Sequence, residues 1–259
     1  MKHARVWWRL VQMSLMNQLS TKLSSLGFLV GKVMRLGFFL VFIVAIFDHT
    51  KSLAGYTLAQ TVLFFLTFNL VDITAQLFFR GIYSVRTIVV SGDLDYYLTQ
   101  PLNPLFRIAI HMTDFLDLLS LAPVLALLAA TTAKLGGVTP AGVLLYFALV
   151  ANGIVIALAM HVAVAGVAVW TQELENTIWL YRDLMTFGRF PVDIYAAPVR
   201  WALTLVVPVA VMVSFPARAM LGTLSPAWAA YAFALSAASL AASLAFWQVA
   251  LRNYTSVSS

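Results

Sequence analysis

The chain contains no cysteine, which excludes thiol nucleophiles, disulfide bonds and Cys-based metal sites and leaves the redox compartment undecided. Charge is scarce too. Asp, Glu, Lys and Arg make up 10% of 259 residues, against 62% hydrophobic, whereas a soluble domain carries about 25% charged residues. An ordinary water-soluble domain is excluded. A phosphate-cradling loop of the form G-x-x-x-x-G-K-[ST] is missing as well. The nearest string, Gly27-Phe28-Leu29-Val30-Gly31-Lys32-Val33, is one residue short, lacks the Ser or Thr for magnesium and opens an apolar run. Gly27 and Gly31 read better as a small-xxx-small packing face. No Ser-His-Asp or paired-carboxylate arrangement can be argued from linear order, so the chain itself is not expected to be an enzyme.

What is present is apolar length. Six segments can each cross roughly 30 Å of hydrocarbon at 1.5 Å per residue: Phe28–Phe47, Leu53–Phe79, Ile108–Ala133, Ala141–Trp170, Val199–Phe215 and Trp228–Leu251. The expectation is an all-α polytopic membrane protein with six transmembrane helices over residues 26–259. Residues 1–25 read as a cytoplasmic amphipathic interface helix. In that stretch Val6, Leu10 and Met13 recur at helical spacing, with Trp7 and Trp8 beside Arg5 and Arg9, which suits rings at the membrane interface and cations toward anionic lipid. The bland alternative is a frayed cytoplasmic tail. No apolar core or small-residue cleavage site follows directly, so the segment does not read as a cleaved signal peptide.

Net charge is +6, and its distribution is topological. With the N-terminus inside, Lys2, Arg5, Arg9, Lys22, Lys32, Arg35, Arg80, Arg86, Arg107, Arg182, Arg189, Arg200 and Arg252 fall on the cytoplasmic side. Lys51, Lys134 and Arg218 fall outside. That positive-inside bias puts both termini in the cytoplasm. A nucleic-acid partner would need a contiguous basic face instead, and none is expected; the bilayer is the partner this charge pattern implies.

Charges inside spans are costly and merit individual weighing. Asn69, Asp72 and Gln76 make one polar stripe on the second span, His111, Asp114 and Asp117 repeat every three residues on the third, and His161 lies midway along the fourth. Lys32, Arg35 and Asp72 reach similar depth on adjacent spans by helical rise, so Asp72 is expected to pair with Lys32 or Arg35, directly or through water, in an internally open cavity. The alternative is that both cations snorkel while Asp72 bonds another helix. No known ligand spacing supports a metal site. A proton relay through Asp and His would instead suit a secondary transporter or channel working without an ATPase.

The one Pro-punctuated polar stretch between apolar runs is Gly92-Asp93-Leu94-Asp95-Tyr96-Tyr97-Leu98-Thr99-Gln100-Pro101-Leu102-Asn103-Pro104, inside an internal loop of about residues 80–107. Asp93 and Asp95 suit a helix start or a partner's cations. The upstream strip Ile82, Val85 and Val89, with Arg80 and Arg86, is amphipathic and suits a cleft on another protein. A capped hairpin with no partner is the plainer reading.

That loop resembles the G-D-[LF]-D-x-x-L-x-x-P-[LI]-[ND]-P signature of the type-2 ABC exporter permeases, within a six-span subfamily of small permeases without a fused ATPase domain. Phe215-Pro216-Ala217 with Leu221-Gly222, and the ending Leu251-Arg252-Asn253-Tyr254-Thr255-Ser256, are shorter matches. Gln100 departs from the pattern, where a basic residue is expected. The resemblance implies the transmembrane subunit of an ATP-driven exporter in the bacterial plasma (inner) membrane. ATP and magnesium would bind a separate ABC ATPase subunit, and none would bind this chain. It also implies a second permease chain, identical or paralogous, with spans one, two and five bordering the pathway. Ile82, Val85, Arg86, Val89, Asp93, Leu94, Asp95 and Tyr96 are then the expected ATPase-coupling residues. Lys32, Arg35, Asn69, Asp72, Gln76 and Asp114 are the intramembrane polar candidates for the pathway. A substrate is not legible: an aromatic-rich lining suits lipophilic or cationic compounds, but aromatics are equally expected against lipid.

Overall fold

The computed structural model describes residues 22–110, 112, 115–171 and 177–255, together with residues 8, 9, 12, 13 and 16. Those last five are helical and exposed; the rest of the expected interface helix over residues 1–21 lies outside the described residues, as do His111 and Asp114.

The described chain is helical throughout. In order come α1 (Lys22–His49), α2 (Leu58–Phe79), a 3-10 turn (Arg80–Ser84), α3 (Val85–Val90), α4 (Asp93–Thr99) and α5 (Pro104–Ile110). Then follow α6 (Phe115–Lys134), α7 (Pro140–Thr171), α8 (Thr177–Thr186), 3-10 turns at Phe187–Arg189 and Val192–Ile194, and α9 (Ala197–Leu205). A π-turn (Ala210–Ser214) leads into α10 (Phe215–Met220), and α11 (Pro226–Arg252) closes the chain. Five helices are long and apolar enough to cross a bilayer: Leu26–His49, Leu58–Val90, Leu116–Lys134, Pro140–Thr171 and Pro226–Arg252. The all-α, polytopic membrane fold is the one expected.

Local chemistry sets the turns. Between α1 and α2, Ala54 and Gly55 take φ of 51° and 85°, closing a tight bridge between Leu53 and Tyr56. Thr57 then starts α2 through a reciprocal cap in which Gln60 N–H donates to its hydroxyl and Thr57 N–H donates to the Gln60 side chain. Pro226 occupies the first helical position of α11, where its missing N–H costs nothing.

Contacts sort these elements to two ends. Thr132 of α6 and Gly142 of α7 both meet the Ala219–Met220 segment, and Tyr56 bonds Arg218; this is the hairpin end. At the other end, the loop end, Gly81 abuts the backbone of Ile108 and Ala109, and Ile82, Val89, Leu94 and Ile108 form an apolar cluster with Val162–Val169 of α7 and Trp247 of α11. A larger core between the ends gathers Leu63, Phe64, Leu66, Tyr146, Ile156 and Val211.

The fifth expected span, Val199–Phe215, is not a single crossing. Its limbs, Ala197–Leu205 and Ala210–Met220, are bent by 82°. Asp193 before the pair contacts Arg218 within it, so the pair leaves and returns at the hairpin end. Met212 reaches the level of Gly153, thirteen residues into α7 or about 20 Å by helical rise. Pro208, which cannot continue a helix ladder, sits at the tip. The traverse between the ends is made earlier. Arg182 bonds Gln76 near the loop end, while Asp193 bonds Tyr56 at the hairpin end. Residues 177–194 therefore run the length of the bundle, about 27 Å at helical rise. Arg200, expected among the cytoplasmic cations, accordingly lies at the hairpin end beside Asp193, and Arg189 lies between the ends against Phe39 and Phe68.

Candidate functional site: a cationic vestibule between α1, α2 and α8

The crossing 177–194 is amphipathic. Ile178, Tyr181 and Met185 are buried in the core, whereas Trp179, Arg182, Thr186 and Arg189, spaced at three, four and three residues, line a cavity of about 270 Å³. Arg35, Phe39, Phe65, Phe68, Asn69 and Asp72 complete its wall from α1 and α2, and Asp183 reaches it from α8. A wider opening of about 520 Å³ toward the loop end shares Arg35, Trp179 and Arg182 and adds Lys32, Gln76 and Arg80. Arginines on three different elements thus face one space.

Below that space the charges are closed off. Asp117, 0% exposed in the first turn of α6, takes ion pairs from Lys32 of α1 and from Arg80 at 3.0 Å. The Phe28 ring lies 4.4 Å from the Lys32 ammonium and 5.5 Å from the Arg80 guanidinium, a cation–π contact that helps hold both cations away from water. An unpaired charge at such depth costs roughly 2.5–3.5 kcal/mol on insertion scales, so one buried carboxylate shared by two cations is the favourable arrangement.

A direct Asp72 pair does not form. Among the described residues Asp72 has no ion pair; its carboxylate accepts from the Gln76 amide at 2.7 Å. The Gln76 carbonyl in turn accepts from Arg80 at 3.1 Å and Arg182 at 3.4 Å. Gln76 therefore relays between Asp72 and two guanidiniums. Azimuth decides partners, and Lys32 turns toward Asp117 of α6 instead. Asn69 spends its amide N–H within its own helix, donating to Phe65 O at 2.8 Å. Arg35 and Arg189 have neither a hydrogen bond nor an ion pair among the described residues.

His161 is buried by aromatic packing, with ring centroids of Tyr181 and Tyr83 at 4.8 and 5.8 Å and Nδ1 2.7 Å from Ala157 O. It is a core residue of α7. At the hairpin end, Asp193 accepts from Tyr56 at 3.0 Å and from Arg218, with Arg200 at 3.8 Å. Burial raises the Tyr56 phenol, against the opposing pull of Arg218, so the hydroxyl stays a donor.

The expected coupling strip needs a correction. Ile82, Val85, Val89 and Leu94 are buried in the protein's own loop-end cluster, covered by α7 and α11. They cannot seat in a partner's cleft. What faces outward is Thr87, Val90, Ser91, Asp93, Tyr96 and Leu98, with Tyr96 64% exposed; Arg86 and Asp95 are half-buried. The Gly-Asp-Leu-Asp and Asn-Pro signature has local structural reasons. Gly92 takes φ of 81°, a conformation that favours glycine. Asp93 and Asp95 sit in the first turn of α4, where carboxylates meet the positive end of the helix dipole. Asn103 accepts from Phe106 N–H at 3.2 Å and Pro104 opens α5. Leu94 anchors the loop in the apolar cluster. Tyr254, just past α11, lies against the same cluster; its phenol is raised by burial first and then by the neighbouring Asp95 carboxylate.

A family model described as ABC-2 family transporter protein matches residues 33–258. The chain belongs to the ABC-2 transporter family. It is a permease component of an ABC transporter, and the signature loop, the re-entrant pair and the C-terminal helix all fall within the matched region. No curated protein and no solved structure matches the chain. The polar crossing 177–194 is the element that sequence reading missed, together with Asp117, Arg182 and Arg189 as members of one site. Its signal was available: residues 179, 182, 186 and 189 share a helical face.

Proposed function

We propose that this ABC-2 permease is the membrane half of an ATP-driven exporter whose ATP and magnesium are bound by a separate ATPase subunit. It pairs with a second permease chain, identical or paralogous, in the bacterial plasma (inner) membrane with both termini cytoplasmic. One observation carries the reading most: an ordered helical excursion at the loop end, anchored by Ile82, Val85, Val89 and Leu94 and presenting Val90, Asp93 and Tyr96 outward. Anchored helices with an exposed rim suit the transmission of movement from a soluble motor. Arg80, Arg86, Arg107 and Arg252 at that end keep it cytoplasmic by the positive-inside rule. The vestibule, walled by α1, α2 and α8, opens toward the same end, as uptake of cargo from the cytoplasm requires. The second permease would face it across these same helices.

The test is co-purification of the chain from its native membrane with an ABC ATPase subunit, followed by ATPase assays of that complex in nanodiscs. Asp93→Lys combined with Tyr96→Ala should weaken ATPase association by about tenfold or more, as loss of an interface anchor does, while membrane insertion is unchanged. Wild-type assembly by that double variant would count against the contact. Transport by the purified chain alone on a proton gradient would replace the exporter with the secondary-transporter reading.

A further inference from the structure

Two guanidiniums in the middle of the bundle, those of Arg35 and Arg189, make no ion pair among the described residues. Arg189 lies with its guanidinium 5.3 Å from the Phe39 ring and 5.6 Å from the Phe68 ring. Arg35 faces the same cavity from α1. Stacking on ring faces leaves the N–H edge of a guanidinium available to a planar oxyanion, which is the geometry arginine recognises best. Two acids share the lining: Asp72 accepts from the Gln76 amide and Asp183 is exposed, so the three arginines leave the cavity with an excess of positive charge. One side of the wall is apolar: Phe39 stacks on Phe65 at 4.5 Å and meets Phe190 at 5.5 Å. A cationic compound would meet repulsion from three arginines here, so the lining argues against the cationic class that aromatics alone suggested.

We propose that this cavity holds the oxyanion head of an amphiphile, a phosphate or carboxylate carrying an apolar chain. Arg35 and Arg189 are its hydrogen-bond donors, Arg182 adds charge from the Gln76 relay, and the Phe39–Phe65 wall lies beside the chain. As cargo, such a ligand rests on the permease reading; as a bound ligand it does not.

The experiment uses the full chain without ATPase in phosphatidylcholine nanodiscs and radiolabelled dodecyl phosphate as the probe, with protein-free discs as the background. Saturable binding is expected, unaffected by dodecyltrimethylammonium. Inorganic phosphate should compete only at concentrations about a hundredfold higher, since it lacks an apolar chain to bury. Arg35→Gln and Arg189→Gln should each weaken binding about tenfold, as loss of one charge-assisted hydrogen bond does. Arg35→Lys should retain part of it, and Arg252→Gln, at the exposed end of α11, all of it. Loss of probe binding in discs containing phosphatidylglycerol assigns the natural ligand to the bilayer; unchanged binding assigns it to soluble amphiphiles. Competition by dodecyltrimethylammonium equal to that by the unlabelled probe overturns the proposal. So does wild-type affinity in both Gln variants, or inorganic phosphate competing as well as the amphiphile. Failure of ATPase association with intact probe binding would overturn the exporter reading alone.

Discussion

The hairpin end and the middle of the bundle use the same residue types to opposite ends. At the hairpin end Asp193 gathers Tyr56, Arg200 and Arg218, so the start of the re-entrant pair is clasped to its finish. In the vestibule Arg35 and Arg189 make no ion pair among the described residues, and three arginines share the wall with two carboxylates, Asp72 and Asp183. A saturated charge cluster stiffens a structure, whereas an unsaturated one is a standing demand for an anion. Charge inside a membrane protein is thus better read by its partners than by its presence.

That contrast can be broken in graded steps. The largest effect is expected for Asp117→Asn, which removes from a buried site the carboxylate that Lys32 and Arg80 share. A loss of about 3–5 kcal/mol is expected, seen as a steep fall in melting temperature in detergent. Next is Gly153→Ala. An added Cβ would lie 2.8 Å from the Met212 carbonyl oxygen, and its three nearest contacts are all Met212 backbone atoms, so about 1–3 kcal/mol should be lost. The reduced fluorescence-detected melting temperature should recover little on repacking nearby side chains. Asp193→Asn opens the clasp at a partly exposed place where solvent screens the pair, and about 1 kcal/mol is expected. Limited proteolysis between α8 and α11 should accelerate in that variant. Smallest is the vestibule: Arg35→Gln and Arg189→Gln should shift stability by no more than about 0.5 kcal/mol, as removal of an uncompensated charge does. Melting curves of these variants lying well below wild type would mean that the two regions do not differ after all.

Much of the fold was legible because long apolar runs announce crossings. Leu53–Phe79, Ala141–Trp170 and Trp228–Leu251 correspond to α2, α7 and α11 within a few residues. The failures have physical causes. Val199–Phe215 is as apolar as a span, yet Pro208 and an 82° bend turn it back to the end it came from. Residues 177–194 carry Arg182, Asp183, Arg189 and Asp193 and so look like a connection, because hydropathy averages over faces that a bundle treats separately. The periodicity of Ile82, Val85 and Val89 correctly marked an apolar face, but periodicity does not say what covers it, and α7 and α11 do. Lys32 was rightly expected to need a carboxylate at its own depth; choosing Asp117 over Asp72 requires knowing how α1 is rotated.

Gly81 has a mechanical consequence. A Cβ there would lie 2.0 Å from the Ile108 carbonyl oxygen, so the backbones at the two feet of the excursion are in direct contact. Residues 82–107 therefore form a closed staple rather than a strap strung between distant posts. A strap transmits tension to one anchor before the other; a staple loads both legs at once. Any force on Tyr96 arrives simultaneously at α2, through Arg80, and at the approach to α6, and these are the two supports of the Asp117 ion pairs.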